Sequence, residues 1–221
     1  MESSAMSPAT LVSTLLRTVE DRIIPLTSGG VSSGSKVFGA AILSNTDLAP
    51  LTVATNHESL SPLLHGEINC IQQFFTVDFP DPKTRPNPRT DCVFFATHEP
   101  CSLCLSGIAW SGFREVYYLF TYEDSRDLFD IPHDIHILEQ VFRVRVDGED
   151  DEALKRRPLY NRDNDFFKAG SLADMIASID DAIEREELAR KSNEVKALYN
   201  GLSQTYQNGK QEGTETASVW K

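Results

Sequence analysis

Two short strings in the sequence combine residue types that bind a transition metal. One is His65–Gly66–Glu67 and the other is Pro100–Cys101–Ser102–Leu103–Cys104, and each opens a segment with helical spacing. Cysteines three positions apart lie on one side of a helix, and the positive end of the helix dipole favours their thiolates. One nitrogen and two sulfur ligands suit Zn²⁺, and three protein ligands leave the fourth tetrahedral position open to water, as in catalytic zinc sites. The sequence therefore predicts a zinc site made of His65, Cys101 and Cys104.

Glu67 stands two residues from the predicted ligand His65, in the same first helical turn. Two thiolates neutralise the charge of a zinc ion, so we expect this ion to acidify water less than an all-histidine site does. Such a site needs a neighbouring proton acceptor. The pattern predicts that Glu67 is the catalytic residue that takes the proton and passes it on.

The other histidines and cysteines fit a zinc site less well. His98 lies three residues before Cys101, so a ligand set of His98, Cys101 and Cys104 is an alternative. We expect Pro100 and the end of the preceding strand to direct the His98 side chain away from the two cysteines. Cys70 and Cys92 lie in apolar patterns without zinc spacing, which is typical of packed thiols. The three remaining histidines lack motif context and are expected in loops or at the surface: His57, His133 and His136.

The segments around the two strings alternate between strand and helix patterns. Short apolar runs predict strands at 37–43, 52–55, 92–97 and 115–120, and helical patterns cover 8–24, 65–75, 101–111 and 133–142. The strand–helix–strand order over 92–120 predicts a parallel βαβ unit, and the run 92–97 is apolar enough for the middle of a sheet. We expect residues 144–146 to pair at a sheet edge.

Chain breaks are predicted from proline, glycine and serine. Pro25 should end the first helix, residues 28–35 form a Gly/Ser-rich loop, and residues 80–89 form a Pro-rich surface loop. Lys83, Arg85 and Arg89 in the Pro-rich loop could meet a phosphate, although a solvated loop is the commoner case.

The C-terminal part has a different pattern. Residues 171–199 predict one long amphipathic helix, or two helices broken near Glu187, and the last twenty residues are expected to form a mobile tail. We therefore expect a zinc domain over residues 1–150 and a C-terminal helical extension over residues 151–221.

The overall composition restricts the classes of partner. The 221 residues carry a formal net charge of −12, with 40% hydrophobic and 24% charged residues, which is typical of a soluble globular protein. An acidic chain argues against a nucleic-acid partner, which requires a positive surface. No uncharged run is long enough to span a bilayer, and no secretory signal precedes the four cysteines. These observations predict a protein of the cytoplasm or, as an alternative, the nucleus.

The H-x-E and P-C-x-x-C strings resemble the signature of the cytidine deaminase-like zinc deaminases. Residues 97–104, followed by Ser106–Gly107–Ile108, are most similar to the branch of cytosine, guanine and tRNA-adenosine deaminases, and His65–Gly66–Glu67–Ile68 is similar to fungal-type cytosine deaminase. The resemblance covers roughly residues 8–145. It implies an α/β, three-layer fold in which a mixed five-stranded sheet carries helices on both faces and the zinc lies where two helix N-termini meet.

The resemblance also implies roles for individual residues. Glu67 would move protons from water to a ring nitrogen and then to the departing ammonia, and Asn56 would hold the base. Backbone groups of Gly66, His98 and Glu99 would contact the reacting groups. The segment after the fourth strand would read the base edge and supply an aromatic lid, with Asp124, Asp127 and Phe129 as candidates.

The predicted function is zinc-dependent hydrolytic deamination of a nucleobase, nucleoside or related amino-heterocycle, with a small-molecule substrate. Two alternatives stay open, namely a subunit of an RNA-editing adenosine deaminase and a non-catalytic zinc scaffold. A scaffold would have no need of Glu67. Because related deaminases are often oligomers, a homodimer is possible.

Overall fold

The computed structural model describes residues 6–214, which fold into one mixed sheet with helices packed around it. The strands are β1 (Gly39–Ser44), β2 (Pro50–Thr55), β3 (Cys92–His98), β4 (Glu115–Phe120) and β5 (Lys168–Ser171). The helices are α1 (Pro8–Thr18), α2 (Ile24–Val31), α3 (Gly66–Gln73), α4 (Ser102–Ser111), α5 (Tyr122–Phe129), α6 (His133–Ile137), α7 (Asp151–Arg156), α8 (Leu172–Ala177) and α9 (Ala182–Glu212).

The five strands follow the order β2-β1-β3-β4-β5 across the sheet. β1 pairs antiparallel with β2 and with β3, whereas β3, β4 and β5 run parallel to one another. Every residue of β3 is buried, as expected for the middle strand. The mixed five-stranded sheet and the βαβ unit β3–α4–β4 are confirmed.

Alternating side chains of the central strands supply two cores. Ile42 of β1 and Phe94 of β3 lie in a cluster with residues of α3 and α4, while Leu43 and Phe95 lie in a second cluster with residues of α1, α8 and α9. Successive residues of a strand face opposite sides of the sheet, so both sides are covered. The predicted helices on both faces are confirmed.

The fifth strand lies in a different place from the one predicted. Residues 144–146 form no strand, and Val144 and Val146 are 74% and 58% exposed. Lys168–Ser171 pairs with β4 instead. The segment Lys168–Ser171 has almost no apolar residues, and it forms a strand because β4 offers an edge with which it can pair. The expectation for 144–146 was wrong because three residues with a central arginine cannot bury an apolar face.

Pro25 does not end the first helix. Residues Val19–Ile23 form a wide π-helical turn, and Pro25 lies in the first turn of α2, where its missing N–H is tolerated. Helix α2 continues to Val31, so the predicted Gly/Ser loop is reduced to a turn after that residue.

The C-terminal segment forms two helices, and their break lies at residues 178–181 rather than near Glu187. Asp181 caps α9 by accepting hydrogen bonds from the backbone N–H groups of Ile183 and Glu184. The predicted tail is wrong for residues 202–212, which are helical because Leu202 and Tyr206 are buried in the core. Its last part, residues 215–221, lies outside the described residues.

Helix α9 packs against α1 and α2, and β5 pairs with β4, so elements after residue 150 contact elements before it. The division into 1–150 and 151–221 stays a prediction. Within residues 6–214, no helix is both long and apolar enough to cross a membrane.

Candidate metal centre and adjoining cavity

The two predicted strings meet where two helices begin. His65 is the N-cap residue of α3, and Cys101 is the N-cap residue of α4, with Cys104 in the first turn of the same helix. The helices approach closely because Gly107 of α4 has no side chain, and a Cβ there would lie 2.6 Å from Ile68 Cδ1. This close packing brings the first turns of α3 and α4 together.

The three candidate ligands form a compact triangle. Cys101 Sγ lies 3.4 Å from His65 Nδ1, Cys104 Sγ lies 3.7 Å from the same nitrogen, and the two sulfurs are 3.6 Å apart. Tetrahedral zinc with ordinary bond lengths requires S···S of about 3.8 Å and S···N of about 3.5 Å. The residues therefore fit a zinc ion in both donor type and spacing.

The ligand residues perturb one another's protonation. Hydrogen bonding from Cys104, followed by contact with His65, holds the pKa of Cys101 well below its usual range. Burial alone would lower the pKa of His65, but the hydrogen bond and charge of Cys101 raise it. A thiolate is the form of cysteine that binds metal, so Cys101 is prepared for ligation.

Glu67 is a buried carboxyl group beside these ligands. Glu67 is 4% exposed, and its Oε2 atom has no hydrogen-bond partner among the described residues. Burial, followed by the charge of Cys101, raises the pKa of Glu67 to about 7. Buried polar atoms almost always have partners, so an unpaired carboxylate oxygen at a site of this kind indicates a place for a ligand.

Gly66, the middle residue of the first string, lies against strand β1. A Cβ at this position would be 2.8 Å from Gly39 Cα and 3.0 Å from the carbonyl oxygen of Phe38. Only glycine permits this approach, which holds the first turn of α3 on the sheet.

Asn56 lies at the same helix start. Its Oδ1 accepts a hydrogen bond of 2.5 Å from the N–H of Gly66, and its Nδ2 donates to Glu58 Oε2 at 3.1 Å. The nine-residue separation from His65 thus brings Asn56 to the site, where both polar atoms of its amide have protein partners.

A cavity of about 320 Å³ adjoins His65 and Cys101. Its walls are largely apolar, and four other polar residues contribute to them. The apolar residues are Phe38, Pro62, Leu63, Leu103, Ile131 and Ile137, and the polar ones are Lys36, Ser102, His133 and Asp134. Small-molecule sites have this size and this mixture of apolar walls and few polar groups.

Asp134 is the acidic residue of this cavity lining, and sequence reasoning did not identify it. It lies in the short helix α6, where burial, followed by the charge of Cys101, raises its pKa to about 8. His133, expected at the surface, also lines the cavity, as does Lys36 from the segment before β1. No motif marks these positions, because the folding of the segment after α5 brings α6 over the metal ligands.

Three predicted substrate contacts lie elsewhere. Asp124 accepts from the N–H of Thr121 at the start of α5 and pairs with Lys196 at 2.8 Å. Asp127 is exposed and pairs with Arg126, and Phe129 packs against the aromatic core around His98. None of the three lines the cavity. The segment forms an amphipathic helix whose apolar side enters the core, so the following segment covers the site instead.

His98 and Glu99 are buried outside the cavity lining. The ring of His98 lies 4.4 Å from that of Phe38 and 4.7 Å from that of Phe120, and burial lowers its pKa well below the usual value. Its side chain is not one of the grouped ligands. Glu99 accepts from Arg162 and Tyr160, each at 2.9 Å. The predicted backbone contacts of these two residues with a substrate stay a prediction.

The possible phosphate contact of Arg85 has another explanation. Its guanidinium donates to the backbone carbonyls of Phe75, Phe79 and Pro80. Arg85 therefore holds the Pro-rich loop against the π-helical turn Phe74–Asp78 that follows α3.

His65, Cys101 and Cys104 form a centre that can hold a zinc ion at the meeting point of two helices. Residues 27–120, which contain all three ligands and Glu67, match the family described as cytidine and deoxycytidylate deaminase zinc-binding region. This part of the chain is similar to the zinc-binding region of the cytidine deaminase-like zinc deaminases.

Known relatives include a guanine deaminase of Bacillus subtilis (strain 168), 28% identical over 109 residues that make up 48% of this chain and 65% of that protein. The match thus spans just under two thirds of the relative's length. The X-ray structure of guanine deaminase from Bacillus subtilis is 25% identical with a TM-score of 0.47, covering 58% of this chain and 77% of that one. Guanine deaminase from Nitrosomonas europaea is 14% identical with a TM-score of 0.42, covering 87% of each chain.

Proposed function

We propose that this protein is a zinc-dependent hydrolytic deaminase that removes the exocyclic amino group of a nucleobase, nucleoside or related amino-heterocycle. The observation that carries the proposal is the unpaired, buried carboxylate oxygen of Glu67 beside the His65, Cys101 and Cys104 triangle. In a zinc site that served only to stabilise the fold, burial of this carboxyl group would cost desolvation free energy, and no contact would compensate for that cost.

His65, Cys101 and Cys104 would hold the zinc ion. When bound, zinc acts as a Lewis acid that makes water a nucleophile near neutral pH. Glu67 takes one proton from that water and delivers it to a ring nitrogen of the heterocycle. It then carries the second proton to the amino group, which leaves as ammonia while a carbonyl replaces it. The net reaction consumes one water and needs no redox cofactor.

The cavity supports a small substrate. Its volume of about 320 Å³ is of the order of a single heterocycle, and apolar side chains such as Phe38 and Ile131 would exclude bulk water from the reaction. We infer that Asp134, which lines the cavity, hydrogen-bonds with polar groups on the heterocycle edge. Guanine is the first compound to test, because a curated relative is a guanine deaminase.

The test is ammonia release by zinc-loaded protein against guanine, guanosine, cytosine, cytidine, adenine, adenosine and their monophosphates. The expected result is release from one of these compounds and at least a hundredfold less from Glu67→Gln, because general acid–base groups contribute about 10²–10⁴-fold. Glu67→Gln should still bind zinc, whereas Cys101→Ser should lose it. Equal activity of wild type and Glu67→Gln would overturn the mechanism.

Absence of release with zinc bound would favour the scaffold alternative. Release only from structured RNA would favour the editing alternative, against which the net charge of −12 argues. A homodimer and a cytoplasmic location stay predictions, and light scattering on the zinc-loaded protein tests the first.

A further inference from the structure

The segment before β1 is joined to the start of α3 by a buried chain of polar contacts. Glu58 is 1% exposed. Its carboxylate accepts hydrogen bonds from the backbone N–H of Lys36 at 2.7 Å and from the ammonium group of Lys36 at 2.5 Å. The same carboxylate accepts from Asn56 Nδ2, and Asn56 Oδ1 accepts from the N–H of Gly66. Gly66 stands between the metal ligand His65 and Glu67.

The carboxylate of Glu58 and the N–H of Gly66 together determine which way the Asn56 amide faces. An ionised carboxylate has only acceptors, so the Asn56 NH₂ group must turn towards it. The amide oxygen is then directed at the N–H of Gly66, one of the N-terminal donors that α3 cannot satisfy internally. A neutral group at position 58 would accept a weaker hydrogen bond from Asn56 Nδ2, and the amide would be held less firmly against the N–H of Gly66.

The Lys36 contact keeps the carboxylate charged. Burial alone raises the pKa of Glu58, but the charge of Lys36 and its hydrogen bonds, together with Asn56, hold the pKa below the usual 4.5. A buried carboxylate without such partners would take up a proton rather than remain ionised.

We infer that Glu58 is a positioning residue of the metal centre, which acts through Asn56 and Gly66 to hold His65 and Glu67 in ligating and proton-accepting geometry. The inference rests on the proposed function only in taking His65 as a zinc ligand. It assigns Asn56 a supporting contact at the helix start. Groups that orient metal ligands from outside typically change metal affinity by about 10–100-fold when removed.

The test measures zinc affinity by chelator competition and the ligand-field absorption of the Co²⁺-substituted protein, neither of which requires a substrate. Glu58→Gln should weaken zinc binding about tenfold and shift or broaden the Co²⁺ bands. The control is Val12→Ala, a fully buried change in α1 far along the chain from the centre. Its melting temperature is measured beside that of Glu58→Gln to separate general destabilisation from a local effect.

Loss of affinity in Glu58→Gln but not in an equally destabilised Val12→Ala supports the inference. Affinity of Glu58→Gln within twofold of wild type, or equal losses in both variants, overturns it. If Glu58→Gln does not fold, Lys36→Met/Glu58→Gln removes both charges and avoids an unpaired buried ammonium group. Wild-type zinc affinity in that double variant would also overturn the inference. Failure to find a deaminase substrate leaves all these measurements unaffected.

Discussion

His65 Nδ1 lies 3.4 Å from Cys101 Sγ, although the two residues are 36 positions apart and begin different helices. Each is an N-cap residue, so its backbone has left the strand or loop but has not yet entered the helix. The metal ligands thus lie at the N-termini of α3 and α4. The geometry of the metal centre therefore depends on the contacts that hold these two N-termini in place.

Asp134→Asn tests the cavity residue that sequence reasoning missed. If Asp134 forms a hydrogen bond with the substrate, the variant should raise KM about two- to tenfold, since a net hydrogen bond contributes about 0.5–1.5 kcal/mol. The value of kcat should change less, because the contact is made in the ground state as well. Steady-state kinetics measure both, and Asp127→Asn, outside the cavity, is the comparison. A larger KM effect at Asp127 would contradict this assignment.

Gly66→Ala tests the close approach of α3 to β1. The added methyl group would lie 2.8 Å from Gly39 Cα, so the backbone must shift, and we expect a loss of about 1–3 kcal/mol in unfolding free energy together with weaker zinc binding. Urea unfolding and zinc titration are the measurements. Gly29→Ala is the matched control, because no atom lies within 4 Å of the added carbon and the position is helical. It should be neutral or stabilise by up to about 1 kcal/mol.

Glu58 predicts a defined dependence of stability on pH. Its pKa in the folded protein is below the usual 4.5, so the unfolded chain binds a proton more readily. This contribution to stability is complete above the unfolded pKa and is lost as pH falls through the lower, folded pKa. Unfolding free energies measured from pH 7 downwards should therefore fall less steeply below about pH 5 in Glu58→Gln than in wild type. Parallel curves would contradict the assignment.

Tyr199→Ala tests the contribution of α9 to the core. Tyr199 is fully buried, and its ring lies 5.1 Å from that of Phe120 at the end of β4. Its truncation should cost about 3–5 kcal/mol. The neighbouring Leu198 is 45% exposed, so Leu198→Ala should stay within about 0.5 kcal/mol. Thermal and urea unfolding compare the two, and equal effects would show that α9 is not part of the cooperative unit.

The metal centre could be predicted from sequence because its ligands belong to local patterns. His65, Cys101 and Cys104 stand at helix starts that proline, spacing and apolar periodicity reveal without knowledge of the fold. Glu67 follows from its distance to His65. The same local reasoning located β1 to β4, whose apolar runs are strong.

The remaining features depend on contacts between distant segments. Strand β5 has little apolar character and forms because β4 presents an unpaired edge. Asp134 and Lys36 reach the cavity through the path of the chain after α5 and before β1, for which no spacing rule exists. The segment 122–130 buries its apolar side in the core, which its many charged residues do not reveal, and its substrate contacts stay a prediction.

Helix α9 covers α1, and Lys191 pairs with Glu20 across 171 positions of sequence. During synthesis, the apolar face of α1 therefore lacks its contacts with α9 until nearly all of the described chain has left the ribosome. A fold that depends on contacts between residues this distant in sequence is expected to form slowly. Until these contacts form, apolar surface that favours aggregation stays exposed. Chaperone demand and yield on recombinant expression should accordingly depend on the translation of α9, even though the metal ligands all lie before residue 105.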